Sequence, residues 1–380
     1  MTNKDIAATY RRWPFFIYMY TKNGMKKMKV GILGCGAVAY RWYLKGLCKK
    51  NPRYEVVVVC DIRAEAAKKA ADDFAIPAHC SQKEEMLAYD LDLVVVLTRH
   101  QDHYEHITFF LNKGIHVYSE KPFVTTPQEG RRIMRLAQKN GLTVGSAPQV
   151  MLSTRNQRVN SLIQDGLIGK VTFLRVTSSN LGPAGRADTN YDPTWFYNEG
   201  GSLWSLGIYG LSAVIYMVGM PKVVSSFQGI AIPEREVLFG PVKGKRFAVT
   251  APDNVAALFD FGAGAFGLYD GSYSVATPPK YEFEIHGTKG SLLVGGFGGP
   301  ESVVYVDLQK KEQRVGPNDT CHITWNLSMG VEETIYAIQE HREPKTSIRF
   351  AYSVMRVIEA MSISNNEKRH VIIRPDAYGI

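Results

Sequence analysis

Two short stretches of the sequence bring together side chains able to move a proton beside a redox step. In SEKPF, residues 119–123, an apolar run ends and Glu120, Lys121 and Pro122 follow at once. An ammonium fixed at that point can hold a substrate hydroxyl and stabilise the alkoxide from which a hydride leaves. In GGSLWSLGIYG and the residues just after it, Ser202, Ser205, Tyr209 and Ser212 follow at intervals of three, four and three. That spacing puts them on one stripe of a helix. Tyr209 is the candidate general acid/base, because a cation such as Lys121 nearby is expected to draw its phenol down toward neutral pH. Ser205 can relay a proton or hold a water.

The surroundings of that stripe narrow what it is. From Leu203 to Met220, 18 residues carry no charged side chain, which only just reaches the length of a bilayer span. Glycines and serines interrupt the run, and basic residues do not flank both ends. A buried helix is expected, with no membrane partner. A third polar cluster follows LVVVL, where Thr98 is succeeded by His100, His103 and His106 at intervals of three. Metal ligands on one helix face come more readily at i and i+4, and no cysteine or carboxylate cluster joins these, so no metal site is expected.

The elements that must carry these residues begin at Met28. MKVGIL reads as a buried strand, GCGAVA as a turn, Tyr40 to Lys50 as a helix stopped by Asn51 and Pro52, and YEVVVVC as a second strand ending at Asp61. Gly34 and Gly36 let backbone approach a pyrophosphate, and Ala39 lets helix pack closely on strand. The free amides of the helix start, at Ala37 and Val38, are placed to bind the phosphates. Asp61, with Ile62 beside it, is placed to accept hydrogen bonds from the adenosine ribose. A carboxylate there repels a 2′-phosphate, which favours NAD over NADP, although Arg63 is a guanidinium able to receive that phosphate. Helices at 64–73, from Asp102 and at 127–139 alternate with strands at 93–97, 115–119 and from Leu142, as in a parallel sheet covered on both faces. Ligands of such sheets bind at the carboxyl ends of the strands. Thr98, Glu120 and Lys121 stand there, and Gln149 and Arg155 follow the last strand.

Composition limits the partners. A chain of 380 residues suggests two domains. Of the net charge of +9, six units lie in residues 1–29, so no general basic face for nucleic acid is expected. The five cysteines, Cys35, Cys48, Cys60, Cys80 and Cys321, are scattered and never form a CxxC pair. Neither a disulfide framework nor a zinc site is indicated, and a cytoplasmic setting is expected. Residues 1–27 read as an N-terminal arm or extension, since WPFFIYMY is short, holds a proline and lacks a cleavage site for export. Beyond residue 150, strand character at 170–179, 254–261, 265–274 and 281–285, with a Gly262-Ala263-Gly264 turn, means antiparallel pairing. Helices near 326–341 and 348–363 and a short HVII run close the chain.

GILGCGAVA, the Asp at the end of strand two, SEKPF, and IHGTKGSLLV at 285–294 together resemble the Gfo/Idh/MocA family, glucose-fructose oxidoreductase, inositol dehydrogenase and their relatives. The resemblance implies an α/β fold: a Rossmann doubly wound parallel sheet at 28–148, then at 149–380 an α+β domain with a large open, predominantly antiparallel sheet for substrate binding and oligomerisation. It implies NAD(P)-dependent oxidation or reduction of a sugar, glycoside or polyol, with Lys121 touching substrate and nicotinamide and Glu120 fixing the cofactor. Thr98 and His103 match the family's cofactor-binding loop, and the Lys121–Pro122 peptide is expected cis. Trp195, within DPTWFYNEGG, either offers an aromatic face to a sugar ring or fills the core, and Gln149 and Ser205 are further substrate candidates. An open sheet must be covered, so a homodimer or homotetramer is expected.

Two departures stand out. Where the family pattern places Asp and His four apart, this chain has Ser205 and Tyr209, and Arg99 and His100 replace the family's Pro and Asn. Some members carry Tyr at the second position. The reading that follows is an enzyme with Tyr209 as acid/base assisted by Lys121. The alternatives are a non-catalytic NAD-dependent sensor and an oxidation-assisted glycoside elimination with tightly held NAD.

Overall fold

A computed structural model of the chain describes residues 26–277, 279–295, 303–316, 326–376 and 378–379. Nearly all of the expected N-terminal arm, and Cys321, lie outside them.

The first sheet has six parallel strands in the order β3-β2-β1-β4-β5-β6, the strand order of a dinucleotide-binding fold. They are β1 (Met28–Leu33), β2 (Tyr54–Cys60), β3 (Ala78–Cys80), β4 (Leu93–Val96), β5 (His116–Ser119) and β6 (Val144–Ser146). Helices on both faces leave Val30, Ile32, Val58, Val59 and the whole of β4 buried, which is why these strands read as unbroken apolar runs. The helix expected at 40–50 divides into a π-helical stretch, Ala39–Leu44, and a short α1 (Lys45–Leu47). Then follow α2 (Ala64–Phe74), α3 (His103–Asn112) and α4 (Pro127–Asn140). The start of α4 is written in the sequence: Thr126 and Glu129 form a reciprocal capping box with Pro127 at the first position, and Gly141 ends the helix at φ +65°.

After α5 (Thr154–Gln164) and β7 (Val171–Thr177), the π-helical turns Phe196–Gly200 and Leu203–Gly207 lead into α6 (Ile208–Met217). Then come β8 (Val223–Gly229), a small pair β9 (Glu234–Glu236) and β10 (Arg246–Ala248), β11 (Asn254–Gly262), β12 (Ala265–Ser272), β13 (Tyr281–Gly287), β14 (Gly290–Gly295), β15 (Val303–Asp307) and β16 (Glu312–Arg314). The chain closes with α7 (Ser328–Gln339), α8 (Ile348–Glu367) and β17 (Val371–Ile372). Among the described residues the second sheet has nine strands, β16-β15-β14-β13-β7-β12-β11-β8-β17. It is antiparallel except where β7 runs parallel to β12. One face packs on α5, α6 and α8 through Leu174, Val176, Leu211, Val214, Phe283 and Ile358. The other carries Phe227, Leu258 and Phe266, each at least half exposed.

The C-terminal helices return to the first sheet. Val331 and Ile335 of α7 pack with Tyr43 and Leu44, while Ile348, Tyr352 and Met355 of α8 pack with Phe123 and Ile133. Among the described residues no helix is long and apolar enough to cross a membrane.

Candidate active site

The turn after β1 is shaped for a close backbone approach. Gly34 lies at φ +103°, and a Cβ there would stand 2.8 Å from the backbone of Leu97, so only glycine fits. A Cβ on Gly36 would meet nothing within 4 Å, which leaves open space against the first amides of the helix carrying Ala37 and Val38. At the end of β2, Asp61 is 7% exposed and Ile62 is 86% exposed. An apolar side chain left open beside a buried carboxylate suits an adenosine ribose and base. This glycine turn, the open cradle and Asp61 therefore fit a dinucleotide.

Asp61 is already engaged. Its Oδ2 accepts from the Cys35 amide at 2.9 Å and from Arg63 Nη2 at 3.1 Å, and its Oδ1 accepts from the Arg63 amide and Nε at 3.0 Å each. Burial would raise its carboxyl, but the Arg63 and Cys35 hydrogen bonds prevail and lower it. Arg63 itself is largely exposed, so it can swing away and free oxygens for ribose hydroxyls.

The carboxyl ends of β4 and β5 face residues 195–205 across a cleft of about 210 Å³. Its wall includes His100, Lys121 and Thr125 on one side and Trp195, Glu199, Trp204 and Ser205 on the other. Lys121 Nζ donates to the Ser205 carbonyl at 2.8 Å and lies 5.1 Å from the centre of the Tyr209 ring. The Lys121–Pro122 peptide is cis, as expected. Behind the lysine, Glu120 is buried and accepts from Tyr43 Oη at 2.7 Å and from the Lys121 amide at 2.8 Å.

The electrostatics correct one expectation. Tyr209, half-buried behind the cleft wall, is pushed well above the ordinary phenol range, first by burial and then by the carboxylate of Glu120 and by Tyr118. Lys121 does not draw it down. The lysine is itself lowered, because burial outweighs the attraction of Glu120. The phenol thus holds its proton more tightly than usual, beside an ammonium that holds its own less tightly than usual.

Other candidates are placed differently. His103 is 1% exposed, with Nδ1 2.7 Å from the Pro122 carbonyl and Nε2 3.1 Å from the Thr98 carbonyl. Both ring nitrogens face backbone carbonyls, and the neutral ring donates to one of them, so it packs between the loops after β4 and β5 rather than facing a ligand. Burial pushes its imidazole down to about 4 against the pull of those two carbonyls. Thr98 Oγ1 pairs with His106 Nδ1 at 3.0 Å. Arg155 is not a cleft residue: it is buried against Glu282 at 2.9 Å and the Gly295 carbonyl at 2.6 Å. Gln149 follows a cis Ala147–Pro148 peptide after β6, and its Oε1 is buried without a hydrogen-bond partner. Ser205 Oγ donates to the Gly201 carbonyl at 2.6 Å and also meets Tyr273 Oη. Ser212 Oγ bonds back to the Ile208 carbonyl at 2.6 Å.

Sequence reasoning missed Glu199, Trp204 and Tyr43. Thr125 was missed as well, His100 was weighed only as a metal ligand and as a departure from the family pattern, and nothing local marked Glu199 beyond its place before a glycine pair.

Comparison with known proteins agrees with this architecture. Residues 28–147 match the model of an oxidoreductase family with an NAD-binding Rossmann fold, and residues 156–293 match the GFO/IDH/MocA C-terminal domain. The chain is 30% identical over 220 residues to D-glucoside 3-dehydrogenase of Escherichia coli, a match covering 56% of this chain and 61% of that enzyme. It is 24% identical over 376 residues to scyllo-inositol 2-dehydrogenase (NADP(+)) of Bacillus subtilis, covering 91% and 96% of the two chains. The WlbA dehydrogenase from Bordetella pertussis, solved with NADH and UDP-GlcNAcA, superposes with a TM-score of 0.77 at 19% identity, over 93% of this chain and 99% of that one. With both family models matched in order along the chain, the protein belongs to the Gfo/Idh/MocA family of oxidoreductases.

Proposed function

We propose that the protein is an enzyme that transfers hydride between the nicotinamide of NAD(P) and a hydroxyl or ketone of a sugar, glycoside or polyol. The observation that carries this reading is the position of Lys121: on the cleft wall at the carboxyl end of β5, anchored by the Ser205 carbonyl and set over the Tyr209 ring. Bound NAD(P) supplies the hydride acceptor or donor. Gly34, Gly36, Ala37 and Val38 would hold its pyrophosphate, Asp61 and Ile62 its adenosine, and Thr98 and Glu120 the approach to the nicotinamide. Lys121 orients the substrate oxygen and stabilises negative charge on it. Tyr209 keeps its proton at neutral pH and gives it to that oxygen in reduction; in oxidation its phenolate takes the proton back.

Asp61 favours NAD, and Arg63, forked onto that carboxylate, supports use of NADP as well. The exposed Phe227, Leu258 and Phe266 on the uncovered face of the second sheet support a homodimer or homotetramer. The four described cysteines are free thiols, which supports a cytoplasmic setting. The deciding experiment follows nicotinamide absorbance while sugars, glycosides and polyols are added to protein with NAD or NADP. Reduction of the cofactor supports a dehydrogenase. Cofactor binding with no reduction by any of them points to a sensor, and glycoside cleavage without net NADH points to oxidation-assisted elimination.

A further inference from the structure

The wall of the cleft opposite Lys121 has a chemistry of its own. Glu199 stands at the end of the π-helical turn Phe196–Gly200, in the second domain, and accepts a 2.6 Å hydrogen bond from Gln101 Nε2 of the loop after β4. Only Oε2 takes part, so the carboxylate keeps acceptor positions for a ligand. Trp195 is 41% exposed at the same wall, with the Phe196 ring 3.8 Å behind it and the His100 ring 6.4 Å away. Trp204 lines the cleft beside them. An apolar aromatic face next to a fixed carboxylate matches a sugar ring, whose C–H face is apolar and whose hydroxyls donate hydrogen bonds.

Charge and size limit which sugar. Lys121 is the one Lys or Arg on the described wall, and its ammonium is bound to the Ser205 carbonyl. Among the described residues no guanidinium lines the cleft to meet a phosphate or a carboxylate, and Glu199 would repel either. The cavity, about 210 Å³, is small against the roughly 300–1,000 Å³ of drug-sized ligand sites. That volume suits a single sugar ring.

We infer that Glu199, positioned by Gln101, accepts hydrogen bonds from hydroxyls of an uncharged monosaccharide unit stacked on Trp195, and that it makes the site reject phosphorylated, uronic and nucleotide-linked sugars. The inference rests on the sugar oxidoreductase reading for the chemistry but concerns binding. Glu199 is a specificity residue, and Gln101 is a positioning residue that acts through it.

The test is equilibrium binding followed by turnover, with the full chain loaded with NAD. Quenching of tryptophan fluorescence reads binding of methyl β-D-glucoside, D-xylose and myo-inositol against glucose 6-phosphate, D-glucuronate and UDP-glucose. At least one uncharged compound is expected to bind roughly 100-fold more tightly than every anionic one. Glu199→Gln, which keeps shape and removes charge, should weaken the uncharged ligand about 10-fold or more and narrow the gap to the anions. Gln101→Ala should raise KM several-fold with kcat nearly unchanged, a split that a general folding defect would not produce. Comparable binding of anionic sugars by the unaltered protein, no binding of any compound, or unchanged selectivity in Glu199→Gln overturns the inference. Selective binding of uncharged sugars without cofactor reduction would leave it standing and remove the oxidoreductase reading instead.

Discussion

The ammonium of Lys121 is held by the main-chain carbonyl of Ser205, at 2.8 Å, and not by the serine side chain. Position 205 is where the family pattern has a carboxylate, so the lysine here is anchored by a group that no substitution at 205 removes. The serine hydroxyl has one proton, which it gives to the Gly201 carbonyl, so Tyr273 Oη must donate to it. Ser205→Ala should therefore leave kcat within about tenfold. It should also lower stability by about 1–3 kcal/mol, because the buried Tyr273 hydroxyl loses its acceptor. Denaturant unfolding and steady-state kinetics on the same preparation check both.

Tyr209→Phe should cost on the order of 100- to 10,000-fold in turnover while cofactor affinity is retained. Since burial and Glu120 hold the phenol in its protonated form, the unaltered protein should oxidise its substrate faster as pH rises, while reduction shows no such gain. Turnover measured in both directions between neutral and alkaline pH, for the protein and the variant, checks this. Unchanged turnover in Tyr209→Phe would remove the assignment.

Arg63→Ala should release Asp61 to the ribose hydroxyls and remove the guanidinium nearest the 2′ position. The preference for NAD over NADP is expected to rise by roughly 10- to 100-fold, the scale of one hydrogen bond to a charged group. Dissociation constants for both cofactors, measured at one ionic strength, give the ratio directly.

His103 carries a pH signature. Its imidazole is near 4 in the folded chain, against about 6.5 when unfolded. Between those values the unfolded chain binds more protons, so stability rises with pH from 4 to 6.5 and is lost on acidification through that window, by up to about 3 kcal/mol. A His103→Gln variant should show a flatter pH dependence there in urea unfolding. An equally steep profile in the variant would assign the effect to another group.

The Rossmann half was legible because its signals are local. Runs such as LVVVL, the glycines at 34 and 36, and Pro127 at the head of its helix each declare one element through backbone rules. The cleft was legible only on one side, since the strand-end rule points to Lys121 but not to what faces it. Glu199 and Trp204 reach the cleft through two π-helical turns, whose spacing departs from the helical stripe that ordered Ser202, Ser205 and Tyr209. The expected charge effect on Tyr209 failed because the sequence does not show how deeply the phenol is buried, which raises it most, or that Glu120, next to Lys121 in sequence, acts in the same sense as burial. Strands β3, β8 to β10 and β14 to β16 were not anticipated; most are short or half exposed, and several mix polar and apolar residues without strict alternation.

Val331 and Ile335 of α7, and Tyr352 of α8, complete the packing around the first sheet although they are encoded some two hundred residues after its last strand. During synthesis the nucleotide-binding half therefore emerges with part of its apolar surface uncovered, and it stays so until α7 and α8 have left the ribosome. A chain cut short before α7 lacks the cover for the first sheet, and such unfinished copies are the ones expected to be most exposed to proteases and chaperones.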